Sequence, residues 1–222
     1  MSIKNILCFD GSNIWDFVPG AFDPETLYMK RYSILERLPG LLREILGADY
    51  CIIEEGLNGR ATNVDYPGLS GKSGTSYIVP CLYSKSPLDL VIINISINDI
   101  KVIFDRTMME ISKGMAELID LIKSTPYGPD MKGPPQILLI SLSALTHEGY
   151  VDQNNESVFK GGMEKSLSFN EYYKKTALEK SCHYINLQSV VNYSEIDGLH
   201  YGKRGNAVIA SVIASKINEI FS

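Results

Sequence analysis

Four short polar segments of the sequence carry side chains suited to acyl transfer. The segments are Asp10-Gly11-Ser12-Asn13, Glu55-Gly56-Leu57-Asn58-Gly59-Arg60, Ser96-Ile97-Asn98-Asp99 and Asp197-Gly198-Leu199-His200. The hydroxyl of Ser12 is a weak nucleophile until a base removes its proton. His200 can be that base, because a histidine side chain is mostly neutral near pH 7. Asp197 precedes His200 by three residues, so its carboxylate can accept a hydrogen bond from the other imidazole nitrogen. We therefore predict a catalytic triad of Ser12, His200 and Asp197.

Attack on a carbonyl creates an oxyanion, which needs hydrogen-bond donors already in place. The backbone N–H groups of Ser12 and Gly59 and the side-chain amide of Asn98 are the predicted donors. Losing one such donor typically costs on the order of 3 kcal/mol in the transition state. A glycine at position 59 fits this role, because it lets a substrate approach the backbone closely.

Each of these residues also has a purely structural alternative. Ser12 can cap a helix after a strand, and Asn98 can cap the segment that follows it. Asp197 can form a local turn, and a lone histidine such as His200 is usually structural. Short motifs match by chance often, so any one of them favours the structural alternative. Their joint position after four different strands favours catalysis.

Five short apolar runs predict the strands that position these segments. They are Ile3–Phe9, Tyr50–Glu54, Leu88–Ile95, Gln136–Leu142 and His183–Leu187. The middle runs are continuous in Val, Ile and Leu, which is typical of parallel strands buried on both faces. In an open parallel sheet, ligands bind outside the carboxyl ends of the strands. We therefore expect the polar segments to converge on one edge of the sheet.

Amphipathic stretches between the runs predict helices. Apolar residues recur at three- and four-residue spacing over Thr107–Lys123 and again from Val208 to Ile220. Further helices are predicted over Ile34–Leu46, although Pro39 makes its start uncertain, and over Tyr172–Lys180. Strands that alternate with helices predict an α/β fold, a three-layer α/β/α sandwich around a five-stranded parallel sheet.

Two long stretches are predicted as loops, and neither has the character of a domain linker. They are Asn63–Pro80, which is rich in Gly and Ser, and Leu145–Glu164. Loops of this length in a compact domain usually carry function or an interface. With 222 residues, the chain is long enough for one domain with a full core and short for two, so we predict one domain over residues 1–222.

Composition excludes several classes of protein. The chain has 21 Lys+Arg against 26 Asp+Glu, a net charge of −5, which argues against binding to nucleic acid or to an anionic membrane surface. No apolar run approaches the roughly 18 residues of a membrane span. The amino terminus has no secretory leader pattern, so we expect a cytoplasmic protein. The widely spaced Cys8, Cys51, Cys81 and Cys182 are expected to be reduced and buried.

Two segments resemble cofactor motifs without matching them. Gly68-Leu69-Ser70-Gly71-Lys72-Ser73 has two residues before Gly-Lys where a phosphate-binding loop needs four, so we expect a flexible surface loop there. His147-Glu148 begins like a zinc-protease helix, but Val151 stands where the second histidine would be. We predict no metal or organic cofactor.

The blocks CFDGSNIW, EEGLNGR, LVIINISINDIK and DGLHYGKRGN resemble the four blocks of the SGNH (GDSL-type) hydrolase superfamily. The likeness is greatest to its arylesterase, acyltransferase and perhydrolase branch. It implies a flavodoxin-like fold and a serine esterase or acyltransferase that acts on small acyl esters through an acyl-serine. Members of that branch often form tight oligomers that narrow the active-site mouth, so the resemblance also implies a homo-oligomer. The resemblance implies Ser12 as nucleophile, with Asp197 and His200 as the rest of the triad. It implies Gly59 and Asn98 as oxyanion donors, and Trp15, with Asn13 and Ile97, as substrate-binding residues.

The chain departs from the family pattern at two places. Asp10-Gly11 stands where the family has Gly-Asp before the nucleophile, and Ser96 stands where it usually has glycine. Either change can weaken activity, so a non-catalytic member of the fold with a binding role is the first alternative. A remote alternative is a phosphatase of haloacid-dehalogenase type, which needs an aspartate at the position of Cys8.

Overall fold

A five-stranded parallel sheet lies at the centre of the computed structural model, which describes residues 3–23, 26, 28–152 and 154–222. The strands are β1 (Lys4–Asp10), β2 (Phe17–Asp23), β3 (Tyr28–Arg31), β4 (Tyr50–Gly56), β5 (Leu90–Asn94), β6 (Gln136–Ser141) and β7 (His183–Asn186). The sheet has the order β4-β1-β5-β6-β7, while β2 and β3 form a separate antiparallel hairpin. The five predicted strands and their parallel arrangement are confirmed.

Helices flank this sheet. They are α1 (Ser12–Trp15), α2 (Leu38–Leu46), α3 (Gly74–Lys85), α4 (Met108–Lys123), α5 (Gly162–Leu167), α6 (Phe169–Glu179) and α7 (Lys203–Phe221). Helix α2 packs against α7, whereas α4 packs against both α3 and α6. The predicted α/β fold with flanking helices is therefore present.

The strand order creates a switch point between β1 and β5. From β1 the chain moves outward to β4, and from β5 it moves outward in the opposite direction to β6 and β7. The connections that leave β1 and β5 thus diverge, and a crevice opens between their carboxyl ends. Two of the four polar segments, those with Ser12 and Asn98, follow these two strands.

Burial explains why the central elements form where they do. All residues of β5 are buried, as expected for a strand covered on both faces. Helix α4 buries one apolar stripe that includes Ile111, Met115 and Leu118, and Thr107 starts the helix through a capping box with Glu110.

The structure corrects the prediction for Asn63–Pro80. Its last part, from Gly74, belongs to helix α3, with Pro80 inside the helix. Glycine, serine and proline in this stretch favoured a loop, but Ile78, Cys81 and Leu82 form a buried face on α3. Burial of that face against the core outweighs the weak local preference. The β2–β3 hairpin was likewise not predicted.

Predicted burial of the cysteines is correct for Cys8 and Cys81 and wrong for Cys51, which is exposed; Cys182 is half-buried. Cys51 lies on β4, an edge strand, which has a neighbouring strand on one side alone. All four thiols are free. Within the described ranges, no helix combines the length and the apolar character that crossing a membrane requires.

Candidate active site

Ser12 is the first residue of the short helix α1, and one residue, Gly11, separates it from the end of β1. Its hydroxyl is 2.9 Å from Nε2 of His200, and Nδ1 of His200 is 2.7 Å from Oδ2 of Asp197. All three residues are buried, with 5 to 6% of their surface exposed. The arrangement is an unbroken chain in which Ser12 donates to His200 and His200 donates to Asp197, the geometry of a serine–histidine–aspartate triad.

The Asp197 carboxylate is held by several donors. Its Oδ1 accepts from the backbone N–H groups of Leu199 and His200, and its Oδ2 also accepts from the N–H of Gly20 on β2. Burial opposes ionisation of this carboxyl, but the hydrogen bond and the charge of His200, together with the backbone donors, hold its pKa below the usual value. Asp197 is therefore ionised and can fix the imidazole.

Gly198 makes the tight turn between Asp197 and His200. Its φ of +75° lies in the left-handed region, and a Cβ there would come within 2.6 Å of the carbonyl oxygen of His147. The ring of Phe17 stacks on the imidazole of His200, with centroids 4.5 Å apart. The turn and the stacked ring together restrict His200 to the orientation that faces Ser12.

Gly59 and Asn98 line the same cavity as Ser12 and His200. Gly59 has a φ of +79°, which a side chain would strain. The Asn98 amide Nδ2 donates to the carbonyl of Arg60 at 3.1 Å, which ties the loop after β5 to the loop after β4. The two predicted oxyanion donors thus lie beside the predicted nucleophile.

Asp99 stabilises the fold around the site and is not among the described residues that line the cavity. It is fully buried, its carboxylate accepts from the backbone N–H and hydroxyl of Thr62, and it pairs with Arg106. Burial raises its pKa to about 6 despite these partners. This network fixes the segment on which Asn98 is carried.

Ser96, the residue that replaces the family glycine, has φ +120° and ψ 0°, a conformation that serine rarely adopts. Its hydroxyl contacts the hydroxyl of Tyr173 on α6 and the carbonyl of Ile95. The side chain therefore points into the core, and Ser96 is not among the described residues that line the cavity. The substitution leaves the cavity open.

Asp10, the other departure, is buried at the end of β1, and its carboxylate accepts from the N–H of Gly11. Burial raises its pKa to about 7, while the Gly11 bond and the charge of Arg60 partly oppose the shift. Arg60 donates to the Asp10 carbonyl at 2.8 Å and lies 4.1 Å over the ring of Phe9. The reversed Asp-Gly order is thus accommodated by contacts of its own.

The cavity above Ser12 has a volume of ≈ 230 Å³. Its lining comprises Ser12, Phe17, Met29, Asn58, Gly59, Lys72, Asn98, Lys101, Tyr150, Phe159, Leu199 and His200. Of the predicted substrate-binding residues, Trp15, Asn13 and Ile97 are absent from this described lining: Asn13 and Ile97 are buried, and Trp15 lies beside Arg31.

Sequence reasoning missed several of these wall residues. Met29 comes from the unpredicted hairpin, and Tyr150 and Phe159 come from the loop predicted over Leu145–Glu164. Lys72 belongs to a segment interpreted as a flexible surface loop, whereas its ammonium donates to the carbonyl of Asn58 at 2.7 Å. The length of these loops was the one feature of the sequence that indicated a part in the site.

The structure is similar to solved structures of esterases over almost its whole length. The aryl esterase of M. smegmatis is 30% identical, with a TM-score of 0.89 over 97% of this chain and 99% of that one. A carbohydrate acetylesterase from Sinorhizobium meliloti is 32% identical, with a TM-score of 0.89 over 98% and 99%. The chain belongs to the SGNH (GDSL-type) hydrolase superfamily. It is thus a hydrolase of the SGNH type.

A solved structure of lower sequence identity is similar in fold only. It is a lipolytic protein of the G-D-S-L family from Veillonella parvula, 14% identical, with a TM-score of 0.61 over 94% of each chain. No family model matches the sequence, and no curated protein matches it either.

Proposed function

We propose that this SGNH hydrolase is a serine esterase that cleaves small acyl esters through an acyl-serine intermediate. The observation that carries the proposal is the unbroken hydrogen-bond chain from Ser12 through His200 to Asp197 at the floor of a cavity that Gly59 and Asn98 also line. The solved relatives named as aryl esterase and carbohydrate acetylesterase support an ester as the substrate.

In the first half of the reaction, Oγ of Ser12 attacks the ester carbonyl while Nε2 of His200 takes the hydroxyl proton. The carbonyl oxygen becomes an oxyanion, which the N–H groups of Ser12 and Gly59 and the amide of Asn98 stabilise. Ionised Asp197 stabilises the imidazolium. When the tetrahedral intermediate collapses, the C–O bond to the alcohol breaks and His200 gives its proton to the leaving oxygen.

In the second half, water attacks the acyl carbon of the acyl-serine. His200 removes a proton from this water, the bond to Ser12 Oγ breaks, and the proton passes to Oγ. The carboxylic acid leaves, and the enzyme returns to its starting state. An alcohol or a peroxide that replaces water would give acyl transfer by the same steps.

The size of the cavity supports a small acyl group. Its ≈ 230 Å³ lies below the roughly 300–1,000 Å³ of pockets that bind drug-sized ligands. The apolar part of the wall comes from Phe17, Met29, Phe159 and Leu199. Such a wall suits a short acyl chain or an aromatic alcohol.

A burst assay with p-nitrophenyl acetate tests the proposal. The wild-type protein is expected to release one equivalent of nitrophenolate rapidly, followed by a slower steady state, and a serine-directed phosphonate is expected to label Ser12. Ser12→Ala should abolish the burst and the labelling. Ser211→Ala is the matched control, because Ser211 is an exposed serine on α7 and is not among the described residues that line the cavity.

The alternatives predict different outcomes. A binding protein without catalysis would show neither burst nor labelling while remaining folded. A phosphatase of haloacid-dehalogenase type would show phosphatase activity that a chelator removes and that Ser12→Ala retains. Either result would overturn the esterase proposal.

A further inference from the structure

Two lysines project into the cavity that contains the triad. Lys72 comes from the loop before α3, and Lys101 follows the single-turn helix Ile97–Ile100 that carries Asn98. Both side chains are half-buried. A cation in such a position needs a partner, because an unpaired buried charge is costly.

Within the described residues, neither ammonium forms an ion pair with a carboxylate. Six other lysines, by contrast, each pair with an Asp or a Glu: Lys4, Lys85, Lys175, Lys180, Lys203 and Lys216. The two cavity lysines form hydrogen bonds to neutral groups: Lys72 donates to the Asn58 carbonyl, and Lys101 donates to the Tyr66 hydroxyl at 2.9 Å. Each ammonium has three donors, so two on each remain for a ligand.

Lys101 is surrounded by aromatic rings, which attract its charge without neutralising it. The ring centroids of Tyr66 and Phe159 lie 5.2 Å and 5.5 Å from its Nζ. Asp152 and Glu156 line a neighbouring cavity that also reaches Lys101, but both are exposed and neither lies within ion-pair distance of it. Burial, and next the charge of Lys72, lower the pKa of Lys101 to about 8. Both ammonium groups line the same cavity, where one ligand can reach both.

Both lysines adjoin the oxyanion donors. Lys72 contacts Asn58, the residue before Gly59, and the Tyr66 hydroxyl that Lys101 contacts is 3.5 Å from Oδ1 of Asn98. A negative group bound by both would thus lie within a few atoms of the scissile carbonyl.

We propose that the substrate of this site is an ester that carries a carboxylate, which Lys72 and Lys101 bind together. This inference rests on the proposed esterase function and adds the substrate class. A charge-assisted hydrogen bond to a carboxylate is stronger than a neutral one, and a carboxylate would neutralise charge that no described carboxylate pairs with.

Matched pairs of esters test the proposal. For charge on the acyl side, p-nitrophenyl hydrogen succinate is compared with neutral p-nitrophenyl pentanoate. For charge on the alcohol side, p-acetoxybenzoate is compared with p-acetoxybenzamide. The ratio of kcat/KM, anionic over neutral, is expected to be at least about tenfold in one pair, and that pair locates the carboxylate.

Substitutions assign that ratio to the two lysines. Lys72→Met and Lys101→Met should each lower the ratio several-fold, and Lys101→Arg, which keeps the charge, should retain most of it. Lys174→Met, at an exposed position on α6, removes the same charge elsewhere and should leave the ratio unchanged.

Failure of this inference is distinguishable from failure of the esterase proposal. If neutral esters give a Ser12-dependent burst but no pair shows a preference for charge, the inference alone is wrong. If both lysine variants lose activity equally on charged and neutral esters, the lysines act on the oxyanion instead of on the substrate. If no ester is turned over and Ser12 is not labelled, the esterase proposal itself fails.

Discussion

Replacing Asp10 by Asn should change how the free energy of unfolding depends on pH. Asp10 is buried at the end of β1, where its carboxylate accepts from the N–H of Gly11. Asparagine keeps an oxygen for that hydrogen bond and has the same shape, but it does not titrate. The substitution therefore isolates the protonation of one carboxyl at the end of the strand that precedes the candidate nucleophile Ser12.

The size of the effect follows from the raised pKa of Asp10. Burial raises it from 3.8 to about 7, a difference of roughly three units, or about 4 kcal/mol at 1.36 kcal/mol per unit. Because the folded protein holds this proton more tightly than the unfolded chain, the stabilisation is complete below the unfolded pKa. It decreases as pH rises and is lost once pH exceeds the folded pKa.

Urea denaturation at a series of pH values measures this difference. The free energy of unfolding of wild type minus that of Asp10→Asn should fall by about 4 kcal/mol between about pH 4 and pH 8. Asp49→Asn, at an exposed aspartate before β4, is the reference for losing a carboxylate at the surface. If the difference in the free energy of unfolding between wild type and Asp10→Asn stays constant across this range, the argument that burial raises the pKa of Asp10 is refuted.

Three further predictions follow from the site. Asn98→Ala should lower kcat for p-nitrophenyl acetate about 10²- to 10³-fold with a smaller effect on KM, because one oxyanion donor is lost; an unchanged kcat would remove Asn98 from that role. Gly198→Ala should lower the thermal midpoint and the kcat together, because its φ of +75° and the 2.6 Å approach to the His147 carbonyl leave no room for a Cβ. The preference for an anionic over a neutral ester should decline as pH rises through about 8, because Lys101 loses its proton there. Lys101→Arg is the control, in which the preference should persist. A wild-type preference that does not change with pH would contradict the prediction.

The parallel sheet was predictable because its signal is local. Continuous apolar runs such as Leu88–Ile95 identify strands buried on both faces, and β5 is buried throughout. The helices with a regular apolar stripe were predictable for the same reason, and α4 starts at its Thr107 cap. Helix α3 was not predictable, because Pro80 and the preceding glycines favour a loop. The residues that α3 buries can be recognised only once the core around them is known.

The candidate triad was predictable in its residue types and not in its surroundings. Asp197-Gly198-Leu199-His200 contains the carboxylate and the base within one turn, and Ser12 follows a strand. Nothing local indicates that Phe17 stacks on His200 or that Ser96 turns its hydroxyl toward Tyr173. These contacts join residues far apart in the chain.

The sequence by itself determines which side chains end the strands, and the carboxyl ends of neighbouring parallel strands must meet at one edge of the sheet. That constraint is enough to bring Ser12 and Asn98 to a common place, because they follow the neighbouring strands β1 and β5. His200 follows the edge strand β7, so the loop after β7 must carry it back to Ser12. The tertiary structure alone decides the 2.9 Å and 2.7 Å distances within the candidate triad and the positions of Lys72 and Lys101 in the cavity wall. The reason is physical: strand formation follows from local apolar patterning, whereas the path of a loop results from many weak contacts with distant residues.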